Sequence, residues 1–295
     1  GSDTIGKGIG SYVKYDPAYI YNSGMQTFEI LKSPQVVELI YSTSNAMQNA
    51  ANAHKSDDED IADDALDKAG LFQFCSFPQI DYDFTKTCSL DLTMADHDFI
   101  TDHILKAKAC QGTLLRWLVD NPQTTLPREF EHLRNCHLPK ELAYLQDLAQ
   151  RFADFMYMVH VRYNYIYSGY QDEEMLEIFK QLLDAYRNSG TDMDTVLAAV
   201  NIRENSGKWF CKEIAQHIAA GETEENGLLD QTIINRERRV KGSRRKIGNP
   251  AYKYDKKNRI HYYKLTFRWK TVRQFMEELR AASSHSTMGK EATNG

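Results

Sequence analysis

The chain has 295 residues, 42% apolar and 26% charged, with 36 Lys+Arg against 41 Asp+Glu and a net charge of −5. This is the composition of a globular protein with room for one large domain, or a main domain plus a small one. No apolar run approaches the ~18–20 residues that span a bilayer. The N-terminus has no basic stretch followed by an apolar one, so neither a membrane partner nor a secretory signal is expected.

The five cysteines (Cys75, Cys88, Cys110, Cys136, Cys211) are odd in number, widely spaced and without a C-x-x-C pair. Disulfide scaffolding and a Cys-rich zinc site are therefore not expected. Reduced thiols in a cytoplasmic protein fit better.

Residues 1–24 mix Gly, Tyr and Pro without helical period and read as an extended N-terminal arm. Gly6, Gly8 and Gly10 lack the preceding strand and the G-K-[ST] of a phosphate loop. Helical period dominates from 25 to 235, which reads as one helical domain. Ser33-Pro34 opens a helix over 34–54. The acidic stretch Asp57–Asp67 follows as a short helix or linker. Residues 71–93 are aromatic and β-branched and read as an irregular segment or edge strands.

Further helices are predicted at 96–119, 127–136, 139–168, 172–187, 192–201, 206–220 and 223–239. The helix over 139–168 carries the longest stripe: Leu142, Leu145, Leu148, Phe152, Phe155, Met156, Val159. Pro139 stands at its start and Gly169 just past its end. Gly221 reads as a C-terminal cap. The predicted fold is therefore mainly α, an irregular multi-helix bundle.

A change of character at 236 predicts a small basic β-hairpin plus helix over 236–282, with a disordered tail over 283–295. Strands at 251–254 and 259–267 would flank a turn at Asp255–Asn258, and 271–282 would form an amphipathic helix with Val272, Phe275, Met276 and Leu279 inward.

Charge is distributed very unevenly. Between Arg236 and Arg280 there are 16 Lys+Arg and 4 Asp+Glu, a local net of +12, against −17 for the rest of the chain. Dense cations interleaved with rings point to a polyanionic partner, because phosphate contacts release condensed counterions and rings can stack on unpaired bases. The candidate nucleic-acid-binding residues are Arg236, Arg238, Arg239, Lys241, Arg244, Arg245, Lys246, Tyr252, Lys253, Tyr254, Lys256, Lys257, Arg259 and Tyr263.

A second group, His160, Arg162 and Asn164, places polar side chains in an apolar helical stretch. Such groups either line a pocket or form a buried network in which Arg162 pairs with an acid of a neighbouring helix. The latter is the favoured reading.

Metal chemistry has two weaker candidates, the pair Asp81 and Asp83 and the group His97, Asp98, Asp102 and His103. Asp81 and Asp83 would share one strand face, as Mg²⁺-binding carboxylates do, but lack a third carboxylate, and nothing in the spacing brings further ligands to the His97 group. No cofactor is expected, and no catalytic motif stands out. The expected function is a non-catalytic nucleic-acid-binding subunit of a larger complex, with DNA or RNA and protein partners. The alternatives are an adaptor whose basic end docks an acidic surface, such as Asp57–Asp67 of another copy, and a metal-dependent nuclease or hydrolase.

Overall fold

The computed structural model describes residues 17–31, 91–200, 202 and 205–291, except the side chains of 17–20, 22 and 284–291. The predicted helix at 34–54, the acidic stretch at 57–67, the three early glycines, Asp81, Asp83, Cys75 and Cys88 all lie outside them. The described residues are mainly helical, and none of their helices is long and apolar enough to cross a membrane. Cys110, Cys136 and Cys211 are free thiols. The chain divides into two compact units, 1–124 with 272–295, and 125–271.

In the first unit, α1 spans Pro17–Thr27, so the arm read as extended to residue 24 ends in a helix. Helix α2 (Met94–Lys106) starts at a reciprocal cap. Thr93 Oγ1 accepts from the Asp96 N–H, and the Asp96 carboxylate accepts from the Thr93 N–H. The single helix predicted over 96–119 is broken. A 3₁₀ turn at Lys108–Cys110 and Gly112 at φ +68° separate α2 from α3 (Leu114–Asp120), which Thr113 caps. Glycine adopts that left-handed backbone without a Cβ clash, so the break is local chemistry.

The second unit is built around α4 (Lys140–Tyr167). From Phe152 onward this helix is buried on most of its circumference, with Phe152, Ala153, Phe155, Met158, Val159, Val161, Tyr165 and Ile166 in the core. A helix apolar nearly all round must be covered on several sides. Helices α5 (Glu173–Asn188), α6 (Met193–Val200) and α8 (Leu228–Lys241) pack on it, and α7 (Asn205–Ala220) packs on α5, α6 and α8. Met175, Phe179 and Leu183 recur every four residues along the buried face of α5. Leu145, expected inward at the start of the α4 stripe, is exposed. The predicted caps hold: Gly169 at φ +70° and Gly221 at φ +79° follow their helices. The segment 127–136 is a 3₁₀ turn at Phe130–Cys136 rather than an α-helix, ending at His137 in the left-handed region.

The β-hairpin is a correction. Residues 245–268 form turns and irregular backbone, with no hairpin among the described residues. The alternation that suggested strands is partly real, since Ile260 and Tyr262 face inward while His261 and Tyr263 face outward. The hydrogen-bonding partner, however, is a helix. The Ile260 N–H donates to Asn164 Oδ1, and Asn164 Nδ2 donates to the Ile260 carbonyl, each at 2.8 Å. One buried amide thus imitates a neighbouring strand for one residue. His261, Phe267 and Arg268 then adopt positive φ (48°, 49° and 59°), which no continuous strand permits.

Asn164→Leu keeps the bulk but leaves the Ile260 backbone groups unpaired. It should cost about 1–3 kcal/mol in urea unfolding of the full chain. A loss near zero would mean that water replaces the amide.

The segment closes against its own unit. Trp269 Nε1 donates to the Pro127 carbonyl at 2.9 Å, and Phe267 packs on Phe130 with ring centres 5.0 Å apart. Helix α9 (Trp269–Glu291) follows, continuing beyond residue 283 where a disordered tail was predicted. Met276 and Leu279 are buried, as its pattern predicted.

Candidate functional site

The basic run does not float beside the helical core; it is pinned to it by buried acids. The first is Glu237, only 7% exposed near the end of α8. It accepts from Tyr163 Oη at 2.6 Å and from the N–H groups of Lys246 and Ile247 at 2.9 and 3.1 Å. Gly242, at φ +53°, and a 3₁₀ turn at Gly242–Arg244 let the chain reverse so that those amides reach the carboxylate. Glu237 thereby fixes the turn that carries Arg244, Arg245 and Lys246.

The second pin is Asp172, fully buried ahead of α5. Arg259 grips it with Nη2 at 3.0 Å and also reaches Glu174 at 2.5 Å. Tyr254 donates its hydroxyl to the same carboxylate, and Lys256 approaches to 3.7 Å. Burial alone would raise the Asp172 carboxyl. The hydrogen bonds from Tyr254 and Arg259, with the charges of Arg259 and Lys256, outweigh it and hold the group below the ordinary carboxylate value. The stability this supplies is complete above that ordinary value and is lost as pH falls through the depressed one.

Three of the fourteen candidate cation and ring residues are therefore engaged in holding the segment down: Tyr254, Arg259 and, more loosely, Lys256. Arg236 is engaged on α8, donating to Ser206 Oγ at 2.8 Å with its guanidinium 5.8 Å from the Phe210 ring centre. Others remain outward. Arg238, Arg239, Arg244, Lys253 and Lys257 are exposed, while Lys241, Arg245 and Lys246 are partly so. Among the described residues, none of these eight forms an ion pair. Tyr252 is 39% and Tyr263 60% exposed, and Lys246 Nζ lies 5.8 Å from the Tyr252 ring centre.

His160, Arg162 and Asn164 separate into different tasks. Arg162, 1% exposed, makes a two-pronged pair with the buried Asp230 of α8, Nε–Oδ1 at 2.6 Å and Nη2–Oδ2 at 3.0 Å. Nη2 also donates to the carbonyls of Thr223 and Glu224, and Phe179 covers the guanidinium at 4.7 Å. The N–H of Asn226 satisfies Asp230 further. This is the buried network expected of Arg162, tying α4 to α8. Asn164 holds Ile260.

His160 alone faces a cavity, of about 310 Å³, between α4, α7 and α8. Its Nδ1 is buried without a hydrogen-bond partner, and its ring centre lies 5.3 Å from that of His261, the two rings tilted by 33°. Burial, then the neighbouring His261, pushes its pKa down to about 4. The depressed value means the unfolded chain takes up a proton that the folded one refuses. The sign is therefore loss of stability as pH falls from about 6.5 towards about 4. His160→Leu should flatten the melting temperature over that window, removing up to about 3 kcal/mol of pH dependence. An unchanged pH profile would show that another group sets it.

The metal candidates do not assemble. His97 Nδ1 meets Asp98, Asp102 pairs with Lys106, and His103 Nδ1 meets the Phe28 carbonyl. No group of three or more His, Cys, Asp and Glu side chains among the described residues could hold a metal ion.

The residues that sequence reading missed are the acids. Local pattern singles out none of Glu237, Asp172 and Asp230, because the groups they hold lie elsewhere in the chain. Comparison with family models, with curated proteins and with solved structures finds no match.

Proposed function

We propose that the chain binds nucleic acid through the turn that follows α8, as a non-catalytic subunit working with protein partners inside the cell. The observation that carries this reading is the set of cations without carboxylate partners among the described residues: Arg238 and Arg239 at the end of α8, and Arg244, Arg245 and Lys246 on the turn after it, which Glu237 holds in one shape. A rigid cationic turn loses little entropy when it meets phosphates. Tyr252, half exposed beside Lys246, supports contact with unpaired bases, since a ring flanked by a cation offers a stacking face. Lys253 and Lys257 extend the charge along the segment that Asp172 anchors.

This reading narrows the contact set. Tyr254 and Arg259 leave it, because Asp172 needs both. The test is fluorescence anisotropy with short labelled single- and double-stranded DNA and RNA. Salt-sensitive binding by the full chain supports the reading. No binding to any of the four at low salt sinks it and favours an acidic protein partner.

A further inference from the structure

We propose that the groove between α7 and α8 seats one unpaired nucleobase, stacked on Trp209, with its phosphate at Arg239. This rests on the reading that the chain binds nucleic acid, and it specifies the form bound: a single strand whose bases are free to turn out.

Trp209 is 56% exposed on α7, next to Phe210, which is buried. A single exposed ring is ordinary on a protein surface. This one stands on the rim of a groove whose other rim is cationic. Trp209 and Glu213, at i and i+4, share a face of α7. Asn235 and Arg239, at the same spacing, share a face of α8, and all four line the groove. Buried Phe210 and Thr232 close its floor. Its volume of about 190 Å³ is below the ~300–1,000 Å³ of sites that enclose a whole small molecule. It suits one planar ring carried in by an attached strand.

The charges on the rim orient that strand. Arg239 is exposed in the last turn of α8, directly before the turn at Gly242–Arg244, and forms no ion pair among the described residues. Arg238 beside it donates to Asn235 Oδ1 at 3.4 Å. Arg236 also lines the groove but is committed to Ser206 and the Phe210 ring, so the phosphate falls to Arg239. Glu213, partly exposed, repels a phosphate inside the groove. Phosphates therefore stay at the Arg239 rim and the base turns inward. There the indole face stacks on it, a contact open to every base. The Glu213 carboxylate and the Asn235 amide offer hydrogen bonds to its edge. A duplex would have to unstack a base to use the indole.

The experiment measures, by fluorescence anisotropy, the affinity of the full chain for two labelled single strands of equal length: an oligodeoxyadenylate and an abasic strand with the same phosphates. The ratio of the two affinities reports base contact and is blind to backbone charge. Trp209→Ala should lower that ratio at least about fivefold, the lower end of what stacking one base is worth. Trp209→Phe, which keeps a ring, should retain most of the ratio. Arg239→Ala should weaken both strands alike and preserve it. The indole is more than half exposed, so its removal should leave the fold intact, as circular dichroism would check. A ratio indifferent to Trp209→Ala overturns the proposal and leaves the nucleic-acid reading standing. No binding of either strand by the parent chain overturns both.

Discussion

Asp230→Ala should destabilise the second unit by about 3–5 kcal/mol, the largest single-residue effect expected in this chain. The substitution leaves the Arg162 guanidinium buried at 1% exposure with only the carbonyls of Thr223 and Glu224 for partners. A cation in that position keeps its desolvation cost and loses the carboxylate that offset it. The N–H of Asn226 loses its acceptor at the same time.

The double replacement Arg162→Met with Asp230→Leu is the informative companion. It removes both charges and refills the space, and it should recover most of the lost stability. Urea unfolding followed by circular dichroism reads both variants. A single mutant that loses less than about 1 kcal/mol would mean water reaches Arg162, and the network would then not hold α4 to α8.

The second large effect concerns function. Reversing Arg244, Arg245 and Lys246 to Glu should lower nucleic-acid affinity by at least about 100-fold at low salt. It should also flatten the dependence of log K on log salt concentration by about three ions or more. The three side chains are at least partly exposed and form no ion pair among the described residues, so stability should change little. Glu237→Gln attacks the same turn from beneath. It weakens the acceptor that fixes the amides of Lys246 and Ile247, and it should reduce affinity although every cation is kept and one negative charge is removed. A triple variant that binds like the parent would place the interface elsewhere.

Much of the helical architecture was legible in the sequence because apolar period and cap chemistry agree there. The stripe from Leu148 to Val159, the glycines at 169 and 221, and the inward pair Met276 and Leu279 all fall where local pattern put them. Where local rules failed, a distant residue had taken over a backbone partner's role. Residues 259–262 alternate like a strand, yet Asn164 supplies the hydrogen bonds a second strand would have given. The break between α2 and α3 was readable in Gly112-Thr113, a left-handed glycine followed by a cap, had that pair been weighed against the apolar period.

The candidate site was half legible for the same reason. Charge density located the basic run, but composition cannot distinguish a cation that faces water from one that faces a buried acid. Arg259 and Arg244 look alike in sequence. Asp172, 87 residues from Arg259, decides that one is structural and the other outward. Likewise, the spacing of His160, Arg162 and Asn164 groups them on one helix, while their partners, a cavity, Asp230 and Ile260, divide them among three tasks.

The central claim is that the turn after α8 is a nucleic-acid contact. The most direct measurement is the affinity of the full chain for short single-stranded and duplex DNA and RNA by fluorescence anisotropy, at low and at physiological salt. The account predicts saturable binding that weakens steeply with salt and is strongest for a single strand, where Tyr252 can stack. Anisotropy that stays flat for all four nucleic acids at low salt would contradict it.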